Sequence, residues 1–392
     1  MTTALEGVTV VDLSLFLPGP FCTLLLADLG AEVIKVEDPE RGDHFRNMPP
    51  LVNGIGVRYL ALNRNKKSVA LNLKSEKGKE AFYRLIAKAD VMVEGFRPGV
   101  AKRLGIDYHT LKDLNPRLIY CSVSGFGQDG PYRDVVGHDI NYIGYGGILG
   151  LIGEEGGPPV IPGVRIADSA AGMFAAIAIL AALMARNHTG QGQQVDVCML
   201  DAVVSLLSTD AAAYLAGGQE PRRGEAPLTG AMSYYNVYET KDNQYITLGA
   251  IEAHFWRNLC QKLDREDLVP YQGATGEKGK EVHSFLKETF LTKTREEWLK
   301  FFQDADVCCG PVNTLGEVFR DPQVLHRQMV VQTDHPQVGK ISQIGIPMKL
   351  SQTPGGIRMP APLLGEHTEE ILRGLNYPQG EIEELRQKKA IA

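Results

Sequence analysis

The stretch VTVVDLSLFLPGPFCTLLLADLGAEVIKVE, residues 8–37, decides the fold of this chain. Its first six residues, 8–13, form a β-branched run that predicts a strand, and the Pro and Gly residues at 17–20 predict a turn. Residues 21–29 predict a helix that ends at Gly30, and residues 31–37 predict a second strand. A strand, a helix and a second strand in this order are typical of a βαβ unit with parallel strands.

The same alternation continues along the first half of the chain. We expect strands at 68–73, 91–96 and 118–126, a helix at 76–89, and long helices at 167–186 and 195–215. This pattern predicts an α/β fold with a mostly parallel sheet and helices on both of its faces.

A Gly- and Pro-rich segment near residue 217 predicts a boundary between two domains. Beyond it we expect a hairpin at 233–250 that turns at residues 241–243, and then helices at 254–263, 281–290 and 295–306. The C-terminal tail is Pro-rich and then helical at 366–375 and 379–388. We therefore predict a large domain of residues 1–216 and 330–392, a small domain of residues 225–325, and linkers at 217–224 and 326–329.

The composition narrows the class of protein. The 392 residues carry 41 Lys and Arg against 47 Asp and Glu, a net charge of −6, which excludes a generally basic nucleic-acid binder. The six cysteines have no Cys-x-x-Cys spacing, which favours reduced core thiols over disulfides or zinc ligands.

No basic segment followed by an apolar one opens the chain, so we expect no signal peptide and a cytoplasmic location. The longest nearly apolar run, residues 170–185, is shorter than the roughly 20 residues that a bilayer requires, and we expect a buried helix.

GFGQDG, residues 125–130, matches the pattern Gly-x-Gly-x-x-Gly after a predicted strand. The dinucleotide fingerprint requires a helix to begin at the last glycine, whereas here Pro131 follows at once. We therefore predict a Gly-rich crossover loop and no nicotinamide cofactor. The sequence contains no phosphate-loop motif and no His and Cys spacing typical of zinc, and we expect no metal.

Two groups of basic residues follow neighbouring predicted strands. The first is Arg64, Lys66, Lys67 and Lys74, and the second is Arg97, Lys102 and Arg103. Ligands of open α/β sheets bind outside the carboxyl ends of the strands, so these two groups would suit a small polyphosphate. Simple solvation of loop side chains is the alternative, and spacing does not decide between the two.

Asp168, which opens the small-residue helix predicted at 167–186, is the main catalytic candidate. The structural interpretation is a helix N-cap, because an Asp oxygen there accepts from free backbone N–H groups. The catalytic interpretation uses the same position: the helix dipole keeps the carboxylate ionised, and the backbone donors could stabilise a thioester oxyanion. His138 in VVGHDINY and Glu252 in LGAIEAHFW are further candidates, although such residues are more often structural or solvated.

Six segments together resemble the family III CoA transferases, whose members include formyl-CoA transferase, carnitine CoA-transferase and α-methylacyl-CoA racemase. They are LPGPFCTLLLADLGAEVIKVEDPERGD, NRNKKSVALNLKSEKGKE, VEGFRPGVAKRLG, NPRLIYCSVSGFGQDGPY, ADSAAGM and TGQGQQVDVCMLDA. The resemblance implies a large Rossmann-like domain built from both ends of the chain, a smaller α/β domain, and two subunits interlocked as a dimer.

The resemblance also implies a CoA site on the large domain. Its expected contacts are Leu17, Pro18, Asn72, Lys74, Phe96, Arg97 and Arg103. The chain departs from the formyl-CoA transferase pattern at Asp38, which stands in place of a CoA-contacting Arg, and at Val136, which stands in place of a Lys. Arg41 and Arg133 are the candidates to replace the missing cations.

The activity implied is transfer of CoA from an acyl-CoA to a carboxylic acid. Asp168 falls on the family's catalytic aspartate, which attacks the thioester to give an aspartyl acyl anhydride and then an enzyme-bound CoA thioester. GHDINY, Asp168 and GAIE also match the racemase pattern, in which His138 and Asp168 act as opposed acid and base groups and Glu252 orients His138. The racemase is therefore the alternative, and a catalytically weak CoA-binding subunit of a heteromer is the third possibility.

Overall fold

The structure, a computed structural model, describes residues 2–392. Its strands, in chain order, are β1 (Thr9–Asp12), β2 (Glu32–Glu37), β3 (Leu51–Val52), β4 (Ile55–Gly56), β5 (Lys66–Ala70), β6 (Val91–Glu94), β7 (Ile119–Ser124), β8 (Gln194–Cys198), β9 (Tyr235–Glu239), β10 (Tyr245–Gly249), β11 (Cys309–Pro311), β12 (Val330–His335) and β13 (Gly339–Ile344).

The α-helices, in chain order, are α1 (Pro18–Asp28), α2 (Val57–Leu62), α3 (Glu76–Ile86), α4 (Val100–Leu104), α5 (Tyr108–Leu114), α6 (Asp139–Tyr145), α7 (Ile148–Leu151), α8 (Ile166–Thr189), α9 (Met199–Leu206), α10 (Ala212–Leu215), α11 (Ala253–Lys262), α12 (Gly276–Phe290), α13 (Arg295–Phe302), α14 (Leu315–Val318), α15 (Pro322–His326), α16 (Thr368–Gly374) and α17 (Gln379–Gln387). Short 3₁₀ turns lie at His44–Arg46 and Glu266–Tyr271.

A six-stranded sheet with the spatial order β5-β2-β1-β6-β7-β8 forms the centre of the larger part of the chain. All of its strand pairs are parallel. Counted along the chain, these six strands follow the order 3-2-1-4-5-6, which is that of a doubly wound Rossmann sheet. The predicted α/β fold with a parallel central sheet is confirmed.

Apolar side chains cover both faces of this sheet, as the alternation along β1 requires. Val10 belongs to a buried cluster with Leu26 of α1 and Ile179 of α8. Val11 points the opposite way, into a cluster with Phe82 of α3 and Leu385 of α17. The C-terminal tail therefore supplies part of the core beside the N-terminal strands.

Two predictions of local structure, a turn and the start of a helix, are wrong. Residues 17–20 are not a turn: Pro18 is the first residue of α1, a position that tolerates the missing N–H of proline. The helix predicted at 195–215 begins only at Met199, because residues 194–198 form β8 against β7. Val195, Asp196 and Val197 alternate with the period of a strand, and this signal was missed.

The described chain divides into two compact units. The first holds residues 2–146, Gly163–Leu206 and Pro322–Ala392, and the second holds Gly147–Pro162 and Leu207–Asp321. Residues 147–162 and 207–216 therefore belong to the second unit, whereas the sequence assigned them to the large domain. The boundaries at 225–325 and 330–392 stay predictions.

The second unit is built around the three-stranded antiparallel sheet β11-β10-β9. Strands β9 and β10 form the expected hairpin, and Asn243 in its turn has a φ of +55°, which asparagine tolerates better than most residues. Its core is aromatic, with Tyr238, Trp256, Phe290 and Trp298 buried together.

Helix α8, of 24 residues, is long and apolar enough to span a membrane by length and composition alone. It is longer than the run of residues 170–185 suggested, so the argument from length fails. One side of the helix is buried through Ala171, Ala175, Ile179 and Ala182, which pack against α1 and the central sheet. This side of the helix is buried as expected, whereas Met173, Ile177 and Met184 are exposed.

Candidate active site

A cavity of about 460 Å³ opens in the first unit where the sheet order reverses. β1 and β6 are neighbours there although they are the first and fourth strands of the sheet in chain order. The loops that follow β1, β6 and β7 line the cavity through Phe16, Pro18, Phe96, Arg97 and Gly125. Ligands of doubly wound sheets bind outside the carboxyl ends of the strands at this crossover, and the volume suits a small-molecule site.

Carboxylates from three strands of the sheet hold these loops in place. Asp12, at the end of β1, accepts from the backbone N–H of Ser14 at 2.9 Å. Glu94, at the end of β6, accepts from the N–H of Phe96 at 2.7 Å. Asp196 in β8 accepts from the N–H of Gln128, in the loop after β7, at 3.0 Å. Each loop that lines the cavity is thus anchored to the sheet by a side chain.

A buried charge network lies below the first of these loops. Lys66 donates to Asp12 Oδ2 at 3.1 Å and to the carbonyl of Pro20 at 3.0 Å, while Lys35 donates to the carbonyl of Ser14 at 2.8 Å. Burial alone would raise the pKa of Asp12, but the two lysines hold it well below its usual range. Burial lowers the pKa of Lys66 to about 8, against the attraction of Asp12.

This network corrects the first basic group predicted from the sequence. Lys66 is buried in it, Arg64 is buried against Asp28 at 2.7 Å, and Lys67 pairs with Glu32 and Glu370. Lys66 and Arg64 are held by buried carboxylates and Lys67, which is partly exposed, by two surface carboxylates, so these three side chains are not free to bind a polyphosphate. Lys74, the fourth residue of the group, is exposed. Buried partners from distant parts of the chain cannot be seen in local spacing.

Asp168 lines the cavity from the first turn of α8. The helix begins at Ile166 after the N-cap Arg165, so Asp168 is the third helical residue and not the N-cap that the sequence predicted. Burial raises the pKa of Asp168 to about 6, and the charge of Asp139 adds to this, while His138 and Arg165 oppose it. Its carboxylate is therefore largely ionised at pH 7 but poorly solvated, which makes it a better nucleophile and a better base than an exposed aspartate.

Asp139 is a site residue that sequence reasoning missed. Its Oδ1 accepts from the backbone N–H of Asp168 at 3.1 Å, so it satisfies one of the free donors at the start of α8. It also brings a second negative charge near Asp168. It lies inside the GHDINY motif, directly after His138, but only the fold brings it to the start of α8.

His138 lines the same cavity as Asp168. It is the N-cap residue of α6, and its backbone N–H donates to Asn141 Oδ1 at 3.0 Å. Tyr142, one turn further on, also lines the cavity, and its hydroxyl donates to the carbonyl of Gly137 at 2.7 Å. The imidazole is exposed, and it is available for acid or base chemistry.

Phe16 is a second residue that the sequence did not reveal. It lines the cavity with a φ of +64°, an outlier for a bulky side chain. Its ring stacks on His44, with centroids 5.3 Å apart, and meets Phe45 edge-on. These ring contacts hold the aromatic side chain of Phe16 at the wall of the cavity.

Of the predicted CoA contacts, Pro18, Phe96, Arg97 and Arg103 line the cavity. Leu17 is not part of the lining, although it lies between two lining residues as the N-cap of α1. Asn72 and Lys74 lie outside the cavity, after β5, where the Lys74 N–H donates to Asn72 Oδ1 at 3.0 Å and the Asn72 amide donates to the Lys389 carbonyl at 3.4 Å. Their roles in CoA binding stay predictions.

Glu252 belongs to the second unit, where it is exposed as the N-cap residue of α11. Gln272 fixes the preceding backbone by donating to the carbonyls of Ala250 and Ile251 at 3.0 and 2.7 Å. The predicted orienting contact between Glu252 and His138 stays a prediction.

The two departures from the transferase pattern have different structural outcomes. Asp38 closes a local turn, with its Oδ1 accepting from the N–H groups of Glu40 and Arg41 at 3.0 and 3.1 Å. Val136 lines the cavity, and so does Arg133, whereas Arg41 does not.

The glycine loop of residues 125–130 begins at the wall of the cavity, which Gly125 and Phe126 help to line. A Cβ on Gly125 would lie 2.5 Å from the Tyr142 hydroxyl, so only glycine fits there, and Gly127 and Gly130 have φ of +91° and +83°. The next α-helix begins only at Asp139. The motif is a crossover loop as predicted.

All six cysteines are free, and within residues 2–392 no three His, Cys, Asp or Glu side chains are grouped to hold a metal ion.

Comparison with known proteins agrees with this geometry. The chain matches CoA-transferase family III over residues 5–368. It is 40% identical to succinyl-CoA:glutarate CoA-transferase from Homo sapiens, over 97% of this chain and 88% of that protein. It is 33% identical to formyl-CoA:oxalate CoA-transferase from Escherichia coli O157:H7, over the full length of both. The crystal structure of a CAIB/BAIF family protein from Brucella suis superposes with a TM-score of 0.83 at 33% identity, covering 96% of this chain and all of that one.

A doubly wound sheet with a carboxylate in its crossover cavity is thus the framework of an enzyme of the CoA-transferase class. This chain belongs to CoA-transferase family III. The resemblance and the enzyme class inferred from the sequence are confirmed.

Proposed function

We propose that the protein is an acyl-CoA:carboxylate CoA transferase with Asp168 as its nucleophile. The observation that carries the proposal is the position of Asp168: its half-buried carboxylate lines the crossover cavity together with Phe96, Arg97 and Arg103. A thioester carbonyl bound in that cavity would meet a poorly solvated carboxylate beside the free backbone donors of a helix start.

The reaction follows from this arrangement in balanced steps. The Asp168 carboxylate attacks the donor thioester, which forms an aspartyl acyl anhydride and releases CoA thiolate. The thiolate attacks the aspartyl carbonyl, which releases the donor acid and leaves CoA bound to Asp168 as a thioester. The acceptor carboxylate then displaces CoA to form a second anhydride, and CoA attacks the acceptor carbonyl to give the new acyl-CoA and free Asp168.

We propose a dicarboxylic acid as the acceptor. The relatives at 40% and 33% identity are named for glutarate and oxalate, both dicarboxylic acids. Arg165, exposed at the N-cap of α8 and close enough to Asp168 to lower its pKa, is a cation available to a second carboxylate.

The second candidate is the α-methylacyl-CoA racemase. The observation in its favour is that His138 and Asp168, two groups able to move a proton, line one cavity. Inversion at a thioester α-carbon needs a base on each face, and these two side chains would supply them.

Two single variants separate these functions. A screen of acyl-CoA donors against dicarboxylic acids, scored by thioester mass, first identifies a working pair. Asp168→Ala is then expected to lower transfer by more than about 1,000-fold while the Kd for CoA changes by less than about threefold. Normal transfer by Asp168→Ala contradicts the proposal.

His138→Ala provides the complementary result. The transferase predicts that it keeps transfer within about tenfold of wild type, since His138 takes no covalent part. Loss of deuterium exchange at the α-carbon of a 2-methylacyl-CoA in His138→Ala, with free exchange in wild type and no transfer by either protein, would instead establish the racemase.

We also propose a homodimer and a cytoplasmic location. Helix α8 supports the dimer because its outward side exposes Met173, Ile177 and Met184, a row of apolar side chains at helical spacing.

A further inference from the structure

Residues 14–20, the wall segment, form the side of the cavity that follows β1. Phe16, Pro18 and Gly19 line the cavity, and Phe16 holds a φ of +64° that is unfavourable for a bulky residue. The segment also folds tightly on itself, since a Cβ on Gly19 would lie 2.2 Å from Ser14 Cβ. A backbone of this shape persists only when the surrounding structure restrains it.

Two buried lysines hold the two ends of the wall segment. Lys35 of β2 donates to the carbonyl of Ser14 at 2.8 Å, and Lys66 of β5 donates to the carbonyl of Pro20, in the first turn of α1, at 3.0 Å. Both lysine side chains are fully buried, and neither lines the cavity. The segment is thus fixed at its beginning from β2 and at its end from β5.

The ammonium group of Lys66 is surrounded by hydrogen-bond acceptors. Four oxygen atoms lie within 3.1 Å of it: the Pro20 carbonyl, Asp12 Oδ2, Thr23 Oγ1 and Asn63 Oδ1. The Thr23 hydroxyl donates its own proton to Asp12 at 2.6 Å, so toward Lys66 it accepts. An ammonium group offers three protons to these acceptors, whereas a neutral amine offers two and turns a lone pair toward them.

We propose that Lys66 is a positioning residue for CoA transfer, whose ammonium group holds the end of the wall segment without touching the substrate. The assignment rests on the proposed function, which places the acyl-CoA in the crossover cavity. The protonated state of Lys66 is the competent one, and loss of its proton loosens the wall segment.

The charges around Lys66 bring this loss into a moderately alkaline range. Burial lowers the pKa of Lys66 to about 8, against the attraction of Asp12 on β1. Lys35 on β2 lowers it further, and Asp43, which follows β2, raises it. Lys35 itself stays charged, because Asp12 and Asp43 raise its pKa against burial. The Cys22 thiol of α1 stays neutral, because burial raises its pKa.

A double variant tests the positioning role without leaving a buried charge unpaired. Lys66→Met alone would strand the Asp12 carboxylate, so it is combined with Asp12→Asn. The double variant is expected to raise the KM for acyl-CoA about tenfold at pH 7 and to keep kcat within about threefold, because Asp168 lies outside the wall segment. If Lys66 merely neutralised Asp12, the double variant would have the wild-type KM.

Two single variants are the controls. Asp12→Asn keeps the bond from Lys66 to the Pro20 carbonyl and should raise KM by less than about threefold. Lys67→Met removes the next lysine of β5, which pairs with Glu32 and Glu370 outside the cavity, and should leave KM and kcat unchanged.

The dependence of KM on pH is a readout that a purely structural role would not move. In wild type and Lys67→Met, KM should rise reversibly above about pH 8, whereas in the double variant it should be high at pH 7 and stay level to about pH 9. Unfolding does not explain such a rise. The pKa of Lys66 in the folded protein lies below its ordinary value of 10.5, so the unfolded chain binds more protons, and the stability that Lys66 contributes rises with pH in this range.

Hydrogen exchange followed by mass spectrometry reports on the wall segment without any substrate. At pH 7 a peptide that covers residues 14–20 should exchange faster in the double variant than in Asp12→Asn, while a peptide that covers β8 should exchange alike in both.

The opposite results overturn the positioning role. They are a wild-type KM in the double variant, an unchanged exchange of the wall segment, or a loss of kcat with KM unchanged. If the double variant does not fold, a wild-type KM that stays level from about pH 7 to 9 overturns it alone. A wall segment that loosens as expected in a protein that transfers nothing would refute only the proposed function.

Discussion

Replacing Asp139 by asparagine is expected to lower the pKa of Asp168 and to move the acid limb of the pH–rate profile. The amide oxygen of the introduced side chain could still accept the N–H of Asp168, so the start of α8 would stay in place while the negative charge is lost. The pKa of Asp168 is raised from 3.8 to about 6, first by burial and then by Asp139. Since burial is the larger cause and remains, removing the charge should return the pKa of Asp168 only part of the way toward its ordinary value.

The assay is kcat/KM for the acyl-CoA donor between pH 4.5 and 8.5, because this parameter reports ionisation of the free enzyme. Wild type should lose activity below about pH 6, where Asp168 takes up a proton and ceases to be a nucleophile. Asp139→Asn should keep the plateau at neutral pH within about twofold and shift the acid limb to lower pH.

Asp134→Asn is the matched control. Asp134 lines the same cavity but is not among the groups that shift the pKa of Asp168. Ionisation of the substrate phosphates affects wild type and both variants equally, so it cancels in the comparison. An acid limb that stays in place in Asp139→Asn, or moves to higher pH, would refute the assigned cause of the shift.

Three other predictions concern stability, positioning and assembly. The pKa of Asp168 in the folded protein lies above its ordinary value, so ionisation of Asp168 destabilises the fold as pH rises from about 4 to 6. Asp168→Asn should therefore raise the free energy of unfolding, measured by urea titration, by about 1–2 kcal/mol at pH 7.5, allowing for partial solvent screening, and leave it unchanged at pH 3.5. An equal gain at both pH values would contradict this. Glu94→Ala removes the acceptor of the Phe96 N–H and should raise the KM for acyl-CoA about fivefold with little change in kcat. Glu94→Gln keeps an acceptor oxygen and should have the wild-type KM. Loss of kcat in both variants would show that Glu94 is not a positioning residue. Ile177→Lys places a charge on the exposed side of α8 and should shift the mass measured by light scattering from dimer toward monomer, and an unchanged dimer would place the interface elsewhere.

Most of the fold can be predicted from local sequence patterns. Residues 8–37 predict β1, α1 and β2 because β-branched runs and a Gly-terminated helix are decided within a few residues. β8 was missed because its alternating residues continue without a break into α9, and only pairing with β7 settles where the strand ends. The predicted turn at 17–20 failed because a proline at the first position of a helix and one in a turn look alike in sequence.

Only part of the candidate site can be predicted from the sequence. Asp168 and His138 stand in motifs, but the meaning of Lys66 and Arg64 depends on partners 54 and 36 residues away. Asp139 acts on Asp168 across 29 residues, and Arg133, which follows β7, lines the same cavity as Arg103, which follows β6. Contacts of this kind are set by the sheet order, which no local spacing specifies.

The fate of the oxygen atoms tests the role of Asp168 most directly. During turnover with an acceptor acid whose carboxylates carry ¹⁸O, one labelled oxygen of the acceptor becomes the bridging oxygen of the second anhydride. When CoA attacks the acceptor carbonyl, that oxygen remains on Asp168. Peptide mass spectrometry should therefore show a gain of about 2 Da at Asp168 after one turnover, rising to about 4 Da with more. Product formation with no label at Asp168 would contradict covalent catalysis by this carboxylate.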